Sequence, residues 1–330
     1  MSRTNLLFEG TSYPLESGES VLDCLLRHGQ AVNSLCRSGA CQSCMLKATA
    51  GAVPAAAQVG LKDAWKKQGC FLACVCRPQE ALSVERCEVA GTHSATVTRV
   101  RSLGANVLGV WLSRPAGFEF HAGQFVQLAR PSDGLKRAYS IASLPSESEL
   151  ELHVAVLPNG QMSGWLSTAI GEEVSVCGPF GECFYQEDEA DRPLVLAGTG
   201  TGLSPLVGVL RAAARHGHRG RISLFHGSPK PSGIYLRSEL AALGEQLPGL
   251  ELFGSVLSGE ESELGTQERW QIEQAPLDQM LLSRYPKFDA HRLFLCGHPT
   301  LVQALRKRAY LAGAPLARIH CDAFAPPHST

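Results

Sequence analysis

The sequence predicts a multidomain chain, α+β at its start and α/β at its end, on three observations. Residues 36–44 and Cys74 form a cysteine pattern, C-x4-C-x2-C followed by x29-C. Residues 95–156 carry short runs of alternating β-branched residues, split by glycine and proline, as in a β-barrel. From residue 194 onward, apolar strands alternate with helical patterns around a glycine-rich turn, the mark of a parallel α/β sheet. A chain of 330 residues is too long for one ordinary core, so two or three domains are expected.

The elements follow in order. In residues 1–90, Asn5-Leu6-Leu7-Phe8 reads as a strand. Residues 20–29 read as a helix capped by Ser20, with Val21, Leu22, Leu25 and Leu26 on one face. Residues 50–60 are rich in Ala, Gly and Pro and read as a surface loop, and residues 88–94 as a linker. In residues 91–190, strands are expected at 95–100, 107–112, 124–128 and 150–156. In residues 191–330, strands are expected at 194–197, 221–225 and 292–296, and helices at 206–215, 236–243 and 301–312.

Composition narrows the function. Hydrophobic residues make up 44% and charged residues 18%, as in a globular protein. The net charge of −1 points to no nucleic acid or acidic lipid partner. Residues 1–10 hold one Arg and a three-residue apolar run, unlike a secretory signal. No apolar run reaches the roughly 18 residues that span a bilayer. A cytoplasmic chain with no membrane partner is expected. Twelve cysteines are too few for a disulfide scaffold, and clustered cysteines then read as metal ligands. The cysteines outside the cluster pattern read as small buried hydrophobes, with Cys296 set apart by its motif.

Cys36, Cys41 and Cys44 come from one tight loop, and a distant cysteine completes four thiolates, as a 2Fe–2S cluster requires. Gly39, Ala40 and Ser43 let the loop wrap closely. Structural zinc sites generally show two short C-x2-4-C knuckles instead. The pattern leaves Cys70, Cys74 and Cys76 open as the fourth ligand. Residues 1–90 resemble a plant-type ferredoxin domain, which implies a β-grasp fold. In that family the last ligand follows a small residue and precedes a proline. The resemblance therefore implies Cys74, in Ala73-Cys74 before Pro78, with Cys70 and Cys76 as bystanders.

Arg137-Ala138-Tyr139-Ser140 stands among Ala122-Gly123-Gln124-Phe125-Val126, Gly160-Gln161-Met162-Ser163 and Cys177-Gly178-Pro179-Phe180-Gly181. In this order the segment resembles the flavin-binding β-barrel of the ferredoxin–NADP reductase superfamily, and implies FAD. A Tyr139 face suits stacking on the flavin ring, Ser140 a hydrogen bond to flavin N5, and Arg137 a phosphate. Gly160, Gln161, Met162 and Ser163 would offer backbone N–H groups and a hydroxyl to the pyrophosphate. Many relatives carry a basic residue just before that turn, where this chain reads His153-Val154-Ala155-Val156-Leu157.

Gly198-Thr199-Gly200-Thr201-Gly202-Leu203-Ser204-Pro205 follows a strand and opens a helix, as a dinucleotide phosphate cradle does. Ser204 and Pro205 give it the form that this superfamily uses, since Pro opens a helix at little cost. Leu295-Cys296-Gly297-His298-Pro299 resembles the family's Cys-Gly-x-Pro turn at the nicotinamide, implying roles for Cys296, Gly297 and Pro299. His320-Cys321-Asp322-Ala323-Phe324 resembles the family's ending, where an aromatic residue, here Phe324, lies near the flavin. After the second strand of this segment no acidic residue stands ready for a ribose 2′-hydroxyl, and Lys230 or Arg237 would suit a 2′-phosphate. Cluster-bearing relatives mostly use NADH, so NADH is expected ahead of NADPH.

The order of modules resembles the electron-transfer reductases of bacterial oxygenases, and also the CDP-6-deoxyglucoseen reductase of sugar deoxygenation. It implies that NAD(P)H gives two electrons as hydride to FAD, with Ser140 and Cys296 at the reacting atoms. The 2Fe–2S cluster then passes them singly to a one-electron acceptor protein. A redox sensor without NAD(P)H turnover would need a failed nicotinamide site, whereas both of its turns look intact.

Overall fold

The computed structural model describes residues 4–32, 34, 37, 39, 42–61, 63–87, 92–187 and 190–324. The chain divides into two compact units, residues 1–91 and residues 92–324.

The first unit is a β-grasp sheet. Its elements are β1 (Asn5–Phe8), β2 (Thr11–Pro14), α1 (Val21–Arg27), β3 (Met45–Ala50), α2 (Asp63–Lys67), β4 (Cys70–Leu72) and β5 (Leu82–Arg86). The sheet runs β2-β1-β5-β3-β4, with β1 and β5 parallel and the other pairs antiparallel. Ser20 caps α1, its Oγ accepting from the Asp23 N–H at 3.1 Å. Val21, Leu22 and Leu25 face the core with Leu6, Phe8 and Phe71. Leu26 departs from expectation: it is 36% exposed, and Cys24 takes the buried position. A helix this short buries a narrow stripe, and the smaller thiol fits the tighter side of it. The expected loop over 50–60 contains a 3-10 turn, Ala55–Gln58, that buries Ala57.

The second unit begins with β6 (Thr92–Gly104), β7 (Val107–Ser113), β8 (Phe125–Ala129), β9 (Lys136–Ser140), β10 (Glu149–Ala155), α3 (Gln161–Leu166) and β11 (Glu173–Phe180). Residues 92–94, expected in the linker, already belong to β6 and pair with β11. The antiparallel order is β10-β7-β6-β11-β8-β9. A bridge from Ile141 to Leu152 joins the two edges and closes the barrel. Val97, Val110, Val126, Leu152 and Val176 fill it, and Met162 and Leu166 of α3 add to that core.

The rest of the unit comprises β12 (Leu194–Thr199), α4 (Leu203–Arg215), β13 (Ile222–Ser228), α5 (Arg237–Leu243), β14 (Leu250–Val256), β15 (Gly265–Gln267), β16 (Trp270–Gln274), α6 (Leu277–Arg284), β17 (Arg292–Gly297), α7 (Pro299–Leu311) and β18 (Ile319–Ala323). The sheet runs β15-β16-β14-β13-β12-β17-β18, parallel except for β15 on β16. Alternate residues of β12 enter opposite cores. Leu194 and Leu196 pack with α4 and α5 residues such as Leu206 and Leu240, while Val195 and Ala197 pack with Leu281 and Val302 of α6 and α7. The sheet order reverses at β12, which has β13 on one side and β17 on the other. Ligands of such sheets bind outside the carboxyl ends of the strands at that reversal. Helix α4 starts at Leu203, three residues earlier than the apolar pattern suggests, because Pro205 is tolerated in a first turn.

Candidate functional site

Four groups of side chains meet this chemistry, one in the first unit and three in the second. In the first unit, Cys44 precedes β3 and Cys74 follows β4, the two strands pairing from Met45 with Leu72. The Ala73 N–H donates to the Cys44 carbonyl at 3.1 Å, so the two cysteine backbones adjoin. Both thiols are buried. Gly39 has φ +77°, a conformation that bulkier residues resist. A donor set of thiols on adjoining backbone fits a 2Fe–2S cluster. Cys36 and Cys41 lie outside the described residues. Cys70 and Cys76 are also buried; Cys70 Sγ lies 3.2 Å from Cys87 Sγ, and burial pushes the Cys76 thiol up to about 12.

The second group lines β9 and the start of α3. Arg137 and Tyr139 share a face of β9, whose period of two sets Ala138 on the other. Arg137 bonds its neighbour's carbonyl, that of Lys136, at 2.7 Å. The Tyr139 ring packs on the barrel core, and burial pushes its hydroxyl well above the ordinary range. Gly160 precedes α3, and Ser163 Oγ donates to the Gly160 carbonyl at 3.2 Å. A Cβ on Gly160 would lie 2.5 Å from that Oγ and 3.1 Å from the Leu157 carbonyl oxygen, so a larger residue would displace the Ser163 hydroxyl from this turn. Met162 turns its side chain into the barrel core and leaves only backbone to a ligand. Arg130 was missed in the sequence: its Nη1 donates to the Gln161 carbonyl at 3.3 Å, beside the same turn. The Arg130 guanidinium also holds the Asp133 carboxyl down at about 2. His153, standing where a phosphate-binding cation was in question, is buried. It pairs with Tyr235 Oη at 3.0 Å and Glu151 Oε1 at 3.1 Å.

The third group is the turn after β12, with a 3-10 turn Gly200–Gly202 leading into α4. The turn after β17 is set against it. A Cβ on Gly202 would lie 2.7 Å from the Cys296 carbonyl oxygen, so the two backbones touch. Thr199 Oγ1 accepts from the His298 N–H at 3.2 Å, and Pro299 opens α7. The residues expected to cradle phosphate, Gly198, Thr199, Gly200, Thr201, Gly202, Ser204 and Pro205, thus adjoin Cys296, Gly297 and Pro299.

The fourth group joins the barrel to this sheet. Ser140 ends β9 and is buried. Its carbonyl accepts from Ser204 Oγ at 2.9 Å, and its Oγ donates to Asp322 Oδ2 at 3.3 Å. Asp322 stands on β18 in register with Cys296 on β17. The Phe324 N–H donates to the Gly297 carbonyl at 2.8 Å, which sets Phe324 beside the same turn. Cys296 is buried, and burial with a 3.3 Å contact to Cys183 Sγ pushes its thiol far up, so it stays a neutral S–H. Asp322 was quoted in the sequence but given no role. The register of β18 on β17 and the Ser140 hydrogen bond single it out.

Three families match in sequence. Residues 7–79 match the 2Fe-2S iron-sulfur cluster binding domain, 95–185 the Oxidoreductase FAD-binding domain and 196–307 the Oxidoreductase NAD-binding domain. The reductase subunit of an aromatic O-demethylase from Amycolatopsis is 33% identical, over 96% of this chain and 97% of its own. The chain belongs to this family of electron-transfer reductases. A second member, the ferredoxin–NAD(P)(+) reductase component of the naphthalene 1,2-dioxygenase system of Pseudomonas putida, is 29% identical over 95% of each chain. The solved structure of an Amycolatopsis cytochrome P450 reductase superposes with TM-score 0.69 at 28% identity, over 98% of this chain and 99% of that one. Like its family, this reductase is an NAD(P)H oxidoreductase with FAD and a 2Fe–2S cluster. Among the described residues, no helix is long and apolar enough to cross a membrane.

Proposed function

We propose that this reductase serves an oxygenase or demethylase acting on aromatic compounds, in the cytoplasm, drawing on NADH ahead of NADPH. The bound groups supply the redox chemistry, hydride acceptance at FAD and single-electron transfer at the cluster. The protein supplies position. Cys36, Cys41, Cys44 and Cys74 hold the cluster. Arg137, Tyr139 and Ser140, with Gly160, Gln161, Met162 and Ser163, hold the flavin: Tyr139 by its ring face, Arg137 at phosphate, the turn at pyrophosphate. Residues 198–205 hold the dinucleotide phosphates, and Cys296, Gly297, Pro299 and Phe324 frame the nicotinamide.

The observation that carries this reading is the meeting of Ser140, Asp322 and Cys296. A barrel strand end and two sheet strand ends converge there, which supports reading this point as the place where flavin and nicotinamide face each other. Asp322 keeps the Ser140 hydroxyl in one orientation. The neutral Cys296 thiol offers soft, uncharged bulk beside the place where the nicotinamide would lie. The support for the aromatic partner is the full-length likeness to reductases of aromatic-compound systems.

An anaerobic titration with NADH and, separately, NADPH tests this, followed by absorbance and by EPR of frozen samples. The expected outcome is bleaching of the flavin bands with a rhombic signal of the reduced cluster, at lower NADH than NADPH. No bleaching with either nucleotide overturns the reading.

A further inference from the structure

His226 lies on β13, fully buried, opposite Gly198 in the parallel register with β12. Its Nε2 lies 3.0 Å from the Gly200 carbonyl oxygen, and its Nδ1 meets no partner. Burial holds the ring down at about 4, so it is neutral and the proton sits on Nε2, donating to Gly200. Keeping a buried ring nitrogen unpartnered costs stability. A phenylalanine would fill the same space without that cost, so the retained donor calls for a reason.

The reason is the peptide that it grips. Gly200 sits at φ +54°, and its carbonyl also accepts from the Leu203 N–H. The peptide group is planar and trans, so a carbonyl drawn inward sends the next N–H, that of Thr201, the opposite way. That way is the outer side of the turn, where Gly200 is exposed and the positive end of α4 begins. Tyr235 stands edge-on to the His226 ring at 5.4 Å and is itself fixed by its 3.0 Å contact with His153. The ring therefore has one orientation.

We propose that His226 is a positioning residue for the nucleotide: its Nε2–H holds the Gly200 carbonyl inward and aims the Thr201 N–H at the dinucleotide pyrophosphate. The inference rests on reading residues 198–205 as the dinucleotide cradle.

The test uses the holoenzyme, with inhibition constants for ADP-ribose, which carries the pyrophosphate, and adenosine, which lacks it. In His226→Phe, ADP-ribose binds about tenfold more weakly, the scale of one lost buried hydrogen bond, and adenosine is unchanged. KM for NADH rises in step while the rate at saturation holds. His226→Gln and His226→Met have similar length and volume, and only Gln carries an N–H. Gln restores most of the affinity and Met does not, which decides the matter even where the Phe variant lacks flavin. Wild-type ADP-ribose affinity in His226→Phe, equal losses for both probes, or a Gln variant no better than Met each overturns the proposal. Gly202→Ala tests the underlying reading separately: unchanged ADP-ribose affinity there removes the cradle itself, however His226 behaves.

Discussion

The two glycine turns of the second unit, one opening α3 and one opening α4, are built on different plans. The first is braced from close by. Ser163 Oγ, 3.2 Å from the Gly160 carbonyl, also accepts from the Leu157 N–H at 3.4 Å, and Arg130 of the same barrel reaches Gln161. The second is braced by four contacts from three other segments. His226 grips Gly200, Thr199 meets His298, Gly202 touches the Cys296 backbone, and Ser204 bonds the Ser140 carbonyl. A fault in the first turn should stay local and loosen the flavin. A fault in the second should spread to the proposed hydride site, because its braces are the residues assigned to that site or their neighbours.

The largest effect is expected from Gly202→Val. Its side chain has no room against the Cys296 carbonyl, so the backbones of both turns must part. We expect kcat/KM for NADH to fall at least about hundredfold, the cost of misplacing reacting groups by an ångström, with flavin content unchanged. Loss of flavin instead would show that the two turns are not separable.

Next comes the frame beneath α4. Glu151 of β10 is buried and meets Arg211 Nη1 of α4 at 2.6 Å. Burial alone would push its carboxyl up, but the His153 hydrogen bond and the Arg211 charge hold it down at about 2, against an ordinary 4.5. Arg211→Met leaves that carboxylate buried with the neutral His153 as a hydrogen-bond partner and no cation at Oε2, and should lower unfolding stability by about 3 kcal/mol, read by denaturant titration. The linkage sign follows from the lowered value. The stabilisation is fully present above pH 4.5 and is lost as pH falls from there through about 2. Acid unfolding of Glu151→Gln should be correspondingly flatter across that window, and parallel curves would contradict the assignment.

The smallest effect is expected from Ser163→Ala in the first turn. One hydroxyl with two modest hydrogen bonds is lost, so FAD should bind about fivefold more weakly by equilibrium dialysis. ADP-ribose should bind as before. A loss of ADP-ribose affinity would show that the first turn is not local after all.

Much of this was legible in the sequence, and the reason is periodicity. Residues 95–100, 107–112 and 150–156 alternate and form strands, and the apolar run at 194–197 lies between two helix layers as such runs do. The turns at 160–163, 198–205 and 296–299 could be named because glycine and proline there are local requirements. What stayed hidden depends on register between distant strands. Asp322 gains its place from pairing beside Cys296, His226 from standing opposite Gly198, and the barrel closure from Ile141 reaching Leu152. Each is an ordinary residue in its own neighbourhood. Leu26 failed for a related reason, since a seven-residue helix has too few turns to define its buried stripe.

The central claim is that Ser140, held between Ser204 and Asp322, stands at the point of hydride transfer. Stopped-flow reduction of the flavin by NADH in Ser140→Ala holoenzyme tests it most directly. The Ser204 contact is to the Ser140 backbone and survives the substitution, so ADP-ribose affinity should match wild type, and the measurement is made with FAD saturating. We expect the limiting reduction rate to fall about hundredfold, the scale of loss when reacting groups are misplaced by about an ångström. Reduction at the wild-type rate, with flavin fully bound, would contradict the account.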